Sequence, residues 1–356
     1  MIPYLLVLLA VVVIAYLGRI ANNRLLRGIS LGTVGLILVG FAGLRDVSVG
    51  TDTGTYVRQF LRADVAASIT RTTEVGYTFL TWSIRELTDS YAVLLTLIAV
   101  IVVGCYLATI RKTVQRYETA IFVFVCLGVY TFFFNGARQG IAAALCFAAL
   151  PYLLERRVLP YLLIVGMATL FHHTALVALP LYYLISPRLD ITRLFLVAGA
   201  TLGLIVLLEA FVELATELVS DKYASYAQKG KGGGAVLASF LVSQGIGFFL
   251  LRNRIGNFKE EYALLFNIYL IGLVPVVAAV VTDVNPSGLL RFHLYFSPVS
   301  ILLWPMIFRN VRGSSERAFF GFMFIVFMMS FFVMTTRTFS DLAPYKTNQD
   351  ILRVEY

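Results

Sequence analysis

Apolar runs of about 20 residues follow one another along nearly the whole chain, separated by short charged stretches. That pattern constrains the fold more than any motif, because about 20 apolar residues are what a helix needs to cross the hydrocarbon core of a bilayer. Mean hydropathy is +0.83, with 59% hydrophobic and 14% charged residues, so the chain is not a water-soluble globule. A sustained β-barrel alternation is absent, which leaves helices as the spanning elements. Twelve runs are read as spans: roughly 3–20, 29–45, 90–110, 119–135, 138–154, 158–172, 174–186, 194–210, 236–251, 262–281, 290–308 and 318–335. The first has its basic residues after it and no small-residue cleavage site, so it reads as a retained helix and not a signal peptide. The expected class is an all-α polytopic membrane protein forming one transmembrane domain over residues 1–356.

The net charge of +9 could suggest nucleic acid as a partner, but its distribution argues otherwise. With loops numbered alternately, one set carries 16 basic residues against six acids, among them Arg19, Arg24, Arg27, Arg111, Arg116, Arg156, Arg157 and Arg309. The other set carries 13 basic residues and 14 acids. This is the positive-inside asymmetry, and it places both termini outside the cytoplasm. Cys105, Cys126 and Cys146 all fall inside spans with no CxxC spacing, so neither a disulfide framework nor a metal site is expected.

Two long loops are expected on the outer side. Residues 46–89 include "TEVGYTFLTWSIREL", an amphipathic or re-entrant helix. Residues 209–235 carry Glu209, Glu213, Glu217 and Asp221 on one helical face, then "KGKGGG".

The chemistry-bearing residues gather at predicted outer helix ends. Arg45, Arg138 and Arg291 lie there, with His172, His173 and His293. In "FFFNGARQGIAAA" Asn135 is the expected N-cap, with Arg138 in the first turn; in "NPSGLLRFHLYF" Ser287 is the expected N-cap for Arg291. A cation at a helix N-terminus is disfavoured by up to about 1 kcal/mol unless an anion binds there. Arg45 instead closes an outward-running helix, where its cation suits the dipole and could be a plain interfacial anchor. Taken as a set on one face with three histidines, the three arginines form a candidate phosphate or diphosphate clamp, anchoring to lipid headgroups being the alternative. A neutral imidazole can take a hydroxyl proton, so His172 or His173 is a candidate general base, a pair of helix-end histidines satisfied by backbone being the alternative. Asp52, in "VGTDTGTY", is either a functional acid or a turn residue satisfied locally. Tyr56, Tyr77 and Tyr295 suit either sugar stacking or an interfacial aromatic belt.

Four stretches occur in order: "GLRDVSVGTDTGTYVRQF", "TEVGYTFLTWSI", "NGARQGIAAALCFAALPYL" and "LFHHTALVALPLYYL". Together they resemble the EpsG family of Wzy-type polysaccharide polymerases, with "LLRFHLYF" and "APYK" as weaker matches further on. The resemblance implies a GT-C-like, membrane-embedded inverting glycosyltransferase working on the outer face of a bacterial cytoplasmic membrane. Its substrate would be a polyprenyl-diphosphate-linked glycan, and polyprenyl diphosphate would be the leaving group. It needs no cofactor and no metal. Membrane lipids surround it, and a chain-length regulator and a flippase are candidate partners. On this reading Arg45, Arg138 and Arg291 bind the diphosphate, and His172 or His173 is the base with Asp52 as runner-up. Thr51, Tyr56, Glu74, Tyr77, Gln139, His293 and Tyr295 are the expected substrate-binding residues. A flippase or transporter of lipid-linked glycans, or an O-antigen ligase-type transferase, is the competing reading. Charges at helix ends, where a transporter would line a midplane cavity, favour the enzyme.

Overall fold

The computed structural model describes residues 1–21, 23–62, 74–187, 192, 195–200, 203, 234–255, 259–281, 290–311, 313–338 and 340–348. Among them the secondary structure is helical, apart from one isolated β-bridge between Arg45 and Thr347. The chain divides into two compact units, Met1–Leu179 with Trp304–Tyr356, and Pro180–Leu303.

The first unit opens with two apolar helices, α1 (Ile2–Ile20) and α2 (Arg24–Gly43). Two short helices follow, α3 (Thr53–Arg62) and α4 (Val75–Arg85), then α5 (Tyr91–Thr113). A broken pair, α6 (Tyr117–Cys126) and α7 (Val129–Asn135), leads into α8 (Ala137–Leu154), α9 (Val158–Phe171) and a 3₁₀ turn, His173–Ala178. The second unit contains α10 (Leu181–Leu184), α11 (Gly234–Leu251), α12 (Lys259–Val281) and α13 (His293–Phe296). From there α14 (Ser300–Asn310) returns the chain to the first unit, which ends in α15 (Ser314–Thr338).

Eight helices among the described residues are long and apolar enough to span: α1, α2, α5, Tyr117–Asn135, α8, Gly234–Arg254, α12 and α15. They answer to eight of the twelve expected runs. The run at 158–172 is a helix of 14 residues, and 174–186 is a 3₁₀ turn followed by one α-turn. The run at 290–308 begins as alternating 3₁₀ and α turns over Leu290–Val299 and continues as α14, with Pro298 and Pro305 along it. Most of 194–210 lies outside the described residues, as does nearly all of the expected loop at 209–235.

Why these helices assemble follows from their stripes. On α1, Tyr4, Leu8, Val11, Ala15 and Gly18 are buried, a spacing of three and four that marks one face. Leu6, Leu9, Val13 and Leu17 on its other faces are exposed apolar side chains, as lipid contact requires. Tyr117–Asn135 and α8 are 78% and 72% buried, against 22% for α15, so they form the centre of the first unit. Lipid is as apolar as leucine and gives helices no hydrophobic reason to meet; small residues allow close van der Waals contact instead. Gly140, Ala142, Ala143 and Ala144 supply this on α8, which packs against α5 and α9.

Residues 340–348 form a strap across one end of this unit. Tyr4 Oη donates to the Leu342 carbonyl at 2.7 Å, Tyr345 Oη to Phe41 O at 2.7 Å, and Asn135 Nδ2 to Ser340 O at 2.9 Å. Main-chain bonds join Gly50 N to Asp341 O, Asp46 N to Lys346 O and Asn348 N to Leu44 O. The Phe41 and Tyr345 rings stack at 4.0 Å. Within the second unit, α11 and α12 run antiparallel: Tyr262 Oη donates to Phe248 O at 2.8 Å and Tyr269 Oη to Leu241 O at 2.7 Å.

Candidate active site

The strapped end of the first unit carries the candidate site. Two glycines shape it. Gly50 has φ of +96°, and a Cβ there would sit 2.5 Å from Asn135 Oδ1, so the turn into α3 requires glycine. Gly76 lets α4 cross the last turn of α9 almost backbone to backbone, since a Cβ would lie 3.0 Å from the Leu170 carbonyl oxygen. That approach sets Glu74, just before α4, beside His172, just after α9.

The result is a three-residue chain. Arg138 Nη1 donates to Glu74 Oε2 at 2.6 Å, while the other oxygen, Glu74 Oε1, meets His172 Nδ1. Arg138 also donates from Nη2 to Gln59 Oε1 at 3.2 Å and lies over the Tyr77 ring at 4.9 Å. Glu74 is largely enclosed, its side chain 12% exposed, but Arg138 at 32% and His172 at 29% reach the surface. Burial works against ionising Glu74; the hydrogen bonds from His172 and Arg138 and the charge of Arg138 outweigh it, and its pKa falls below 4.5.

An ionised Glu74 can only accept, so the proton shared with His172 belongs to Nδ1, and Nε2 carries the basic lone pair. His172 is the C-cap of α9, so the end of that helix and Glu74 together fix where the ring stands. A carboxylate that holds an imidazole by Nδ1 in this way can orient the ring's other nitrogen toward a proton donor.

The other expected residues fall variously. Tyr56 Oη accepts the Ala137 N–H at 3.1 Å, satisfying a free donor at the start of α8. Asn135 is not the N-cap of α8 as expected: it ends α7, its amide donates to the strap, and Gly136 occupies the cap position with no side-chain bond. The anion answering Arg138 within the protein is therefore Glu74. Gln139 is buried, with Nε2 3.4 Å from Thr174 Oγ1. Tyr77 is buried, and its hydroxyl has no hydrogen-bond partner among the described residues. Asp52 is half-buried at the start of α3, where its main-chain carbonyl accepts from Thr55 and Tyr56; Thr51 and His173 are exposed.

Arg45 is enclosed, not open to the surface, at 1% exposure. Its Nη1 donates to Ala42 O at 2.5 Å, Nε to Thr53 Oγ1 at 3.3 Å, and the guanidinium lies 4.2 Å over Phe134. Burial lowers its pKa to about 10, which leaves it charged at neutral pH. It fastens the turn from α2 to α3 from within. Arg291, His293 and Tyr295 belong to the second unit: Arg291 is exposed in a 3₁₀ turn, Tyr295 is buried, and His293 Nδ1 donates to Leu290 O at 2.5 Å. Ser287, their expected cap, lies outside the described residues. The Glu74–His172 pairing is what sequence reasoning missed. Its signal was an acid just before an apolar helix and a histidine just after another, 98 residues apart.

A multi-pass helical membrane protein with a charged, histidine-containing site at one end of its bundle is the class that fold and site define. The EpsG family model matches residues 29–347, nine-tenths of the chain, and the protein belongs to that family. The membership supports a general role in polysaccharide polymerisation. No curated protein and no solved structure matches the chain.

Proposed function

We propose that this protein extends a lipid-linked glycan by inverting glycosyl transfer, with polyprenyl diphosphate as leaving group, on the outer face of a bacterial cytoplasmic membrane. The observation that carries the reading is the Arg138–Glu74–His172 chain, which ends in a partly exposed imidazole. In the proposed step an acceptor hydroxyl forms a bond to the anomeric carbon as that carbon's bond to the diphosphate oxygen breaks. The hydroxyl proton passes to His172 Nε2, and the electron pair leaves with the polyprenyl diphosphate. Arg138 keeps Glu74 ionised and turns its exposed edge toward the departing anion, where a cation stabilises developing charge. Tyr77 and Gln139 are proposed as groups that meet the sugar. A GT-C-like architecture is part of the same proposal.

The test is to incubate purified protein with its lipid-linked repeat unit, without nucleotide sugar, and to resolve the products on a gel. A ladder spaced by one repeat is expected, slowed about 10²- to 10⁴-fold in His172→Gln, the usual range for removing a general base. Normal polymerisation by His172→Gln would overturn the assignment of the base. Movement of the intact lipid-linked unit across proteoliposomes, with no ladder, would make the protein a flippase and the site a headgroup receptor.

A further inference from the structure

At the end of the first unit opposite the site, a cavity of about 950 Å³ opens between helix ends, and arginines dominate its wall. Arg19 comes from α1, Arg24 and Arg27 from α2, Arg111 from α5, Arg116 from the link to α6, and Arg309 from α14. Four helices and one link thus deliver six guanidinium groups to one concavity. A carboxylate beside them, Glu118, pairs through Oε1 with Arg19 Nε at 2.9 Å and is largely buried. Arg116 feels the crowding: burial lowers its pKa, Arg19 and Arg317 lower it further, and Glu118 partly offsets them. Six guanidinium groups lining one space attract an anion that enters it.

The volume says what kind of anion. It lies at the upper end of the usual range for ligand pockets, roughly 300–1,000 Å³, and far exceeds what a single inorganic ion fills. Arginine's planar fork matches phosphate oxygens two at a time. Ile20 and Leu31 line part of the same wall, and Leu25, Leu26 and Ile29 beside it on α2 are exposed apolar side chains of the kind that meet acyl tails. Basic pockets between membrane helices at the interface suit anionic lipid headgroups.

We propose that this cavity is a second ligand site, separate from the candidate active site, that binds the phosphate headgroup of an anionic phospholipid. α2 joins the two ends: 20 residues at 1.5 Å each separate Arg24 from Gly43 by about 30 Å, too far for one small ligand to touch both. The shared chemistry is a phosphate ester, so a free phosphate compound is the competing source.

Purified protein would be delipidated in detergent, offered phosphatidylglycerol, diphosphatidylglycerol or phosphatidylcholine, and examined by native mass spectrometry for retained lipid. Wild type should hold an anionic lipid at least tenfold more strongly than phosphatidylcholine. Arg24→Gln and Arg111→Gln, both at exposed positions and so least able to disturb folding, should each reduce that preference severalfold. Arg254→Gln, a basic residue of the second unit, should leave it unchanged. Glycerol phosphate that displaces the lipid at equal concentration would overturn the lipid as occupant. Equal retention in wild type, Arg24→Gln and Arg111→Gln would overturn the site itself.

Discussion

The hydrogen-bonded chain through Glu74 makes a firm statement about three side chains acting as one. With Glu74→Gln the amide cannot hold a proton on His172 Nδ1 by charge, and Arg138 loses its anion. The transfer rate should fall about as far as in His172→Gln, and the double variant should be little worse than either, because groups that act as a unit are not additive. Initial rates of ladder formation would show this, and multiplied losses would sink it. Glu74 also sets an acid limit. Its folded pKa is depressed below 4.5, so the stabilisation it gives is fully present above about 4.5 and is lost as pH falls through the folded value. Thermal melts from pH 6 to 3 should fall more steeply for wild type than for Glu74→Gln. Little of this was legible in sequence. Arg138 and His172 stood out by type and by helix-end position, but their common partner lies in another segment, and only the crossing of α4 on α9 reveals it. Arg45 was legible as a helix-end arginine; that it turns inward onto Phe134 follows from the chain folding back over it, which no local pattern records.

Among elements, the long apolar helices were readable because length and hydropathy decide them, while the short ones were not. α3, α4 and the broken stretch from Leu290 to Val299 are placed by neighbours and by turn geometry, so a reading by periodicity smooths them over or extends them. The tight α4–α9 crossing predicts a specific fragility. Gly76→Val would drive a branched side chain into the Leu170 carbonyl, cost roughly 1–3 kcal/mol as overpacking does, and separate Glu74 from His172. Activity should collapse while the protein remains membrane-inserted and monodisperse; wild-type activity in that variant would contradict the crossing. The strap makes a second prediction. Tyr345→Ala removes a stacked ring and a hydrogen bond to Phe41, about 1–3 kcal/mol together, and should lower the melting temperature measurably. An unchanged melt would mean that the strap contributes no stability.

On the scale of the whole molecule, the charge asymmetry read from sequence acquires a location: arginines of the basic loops line one cavity, and the paired carboxylate, arginine and histidine sit at the other end of the same unit. If the basic end faces the cytoplasm, Thr51→Cys should react with an impermeant maleimide in intact cells and Arg24→Cys only after permeabilisation. The reverse labelling would place the candidate site inside. The chain's path has a further consequence. The strap that grips α1 and α2 is encoded after the whole second unit, so a ribosome must deliver residues 180–303 before residues 340–348 can close over the site end. During synthesis residues 1–179 wait with Arg45 uncovered on its strap side, a window in which a chaperone or insertase would find that end open. A nascent chain halted before α15 should therefore be cut by protease near Gly50, and the finished protein should resist.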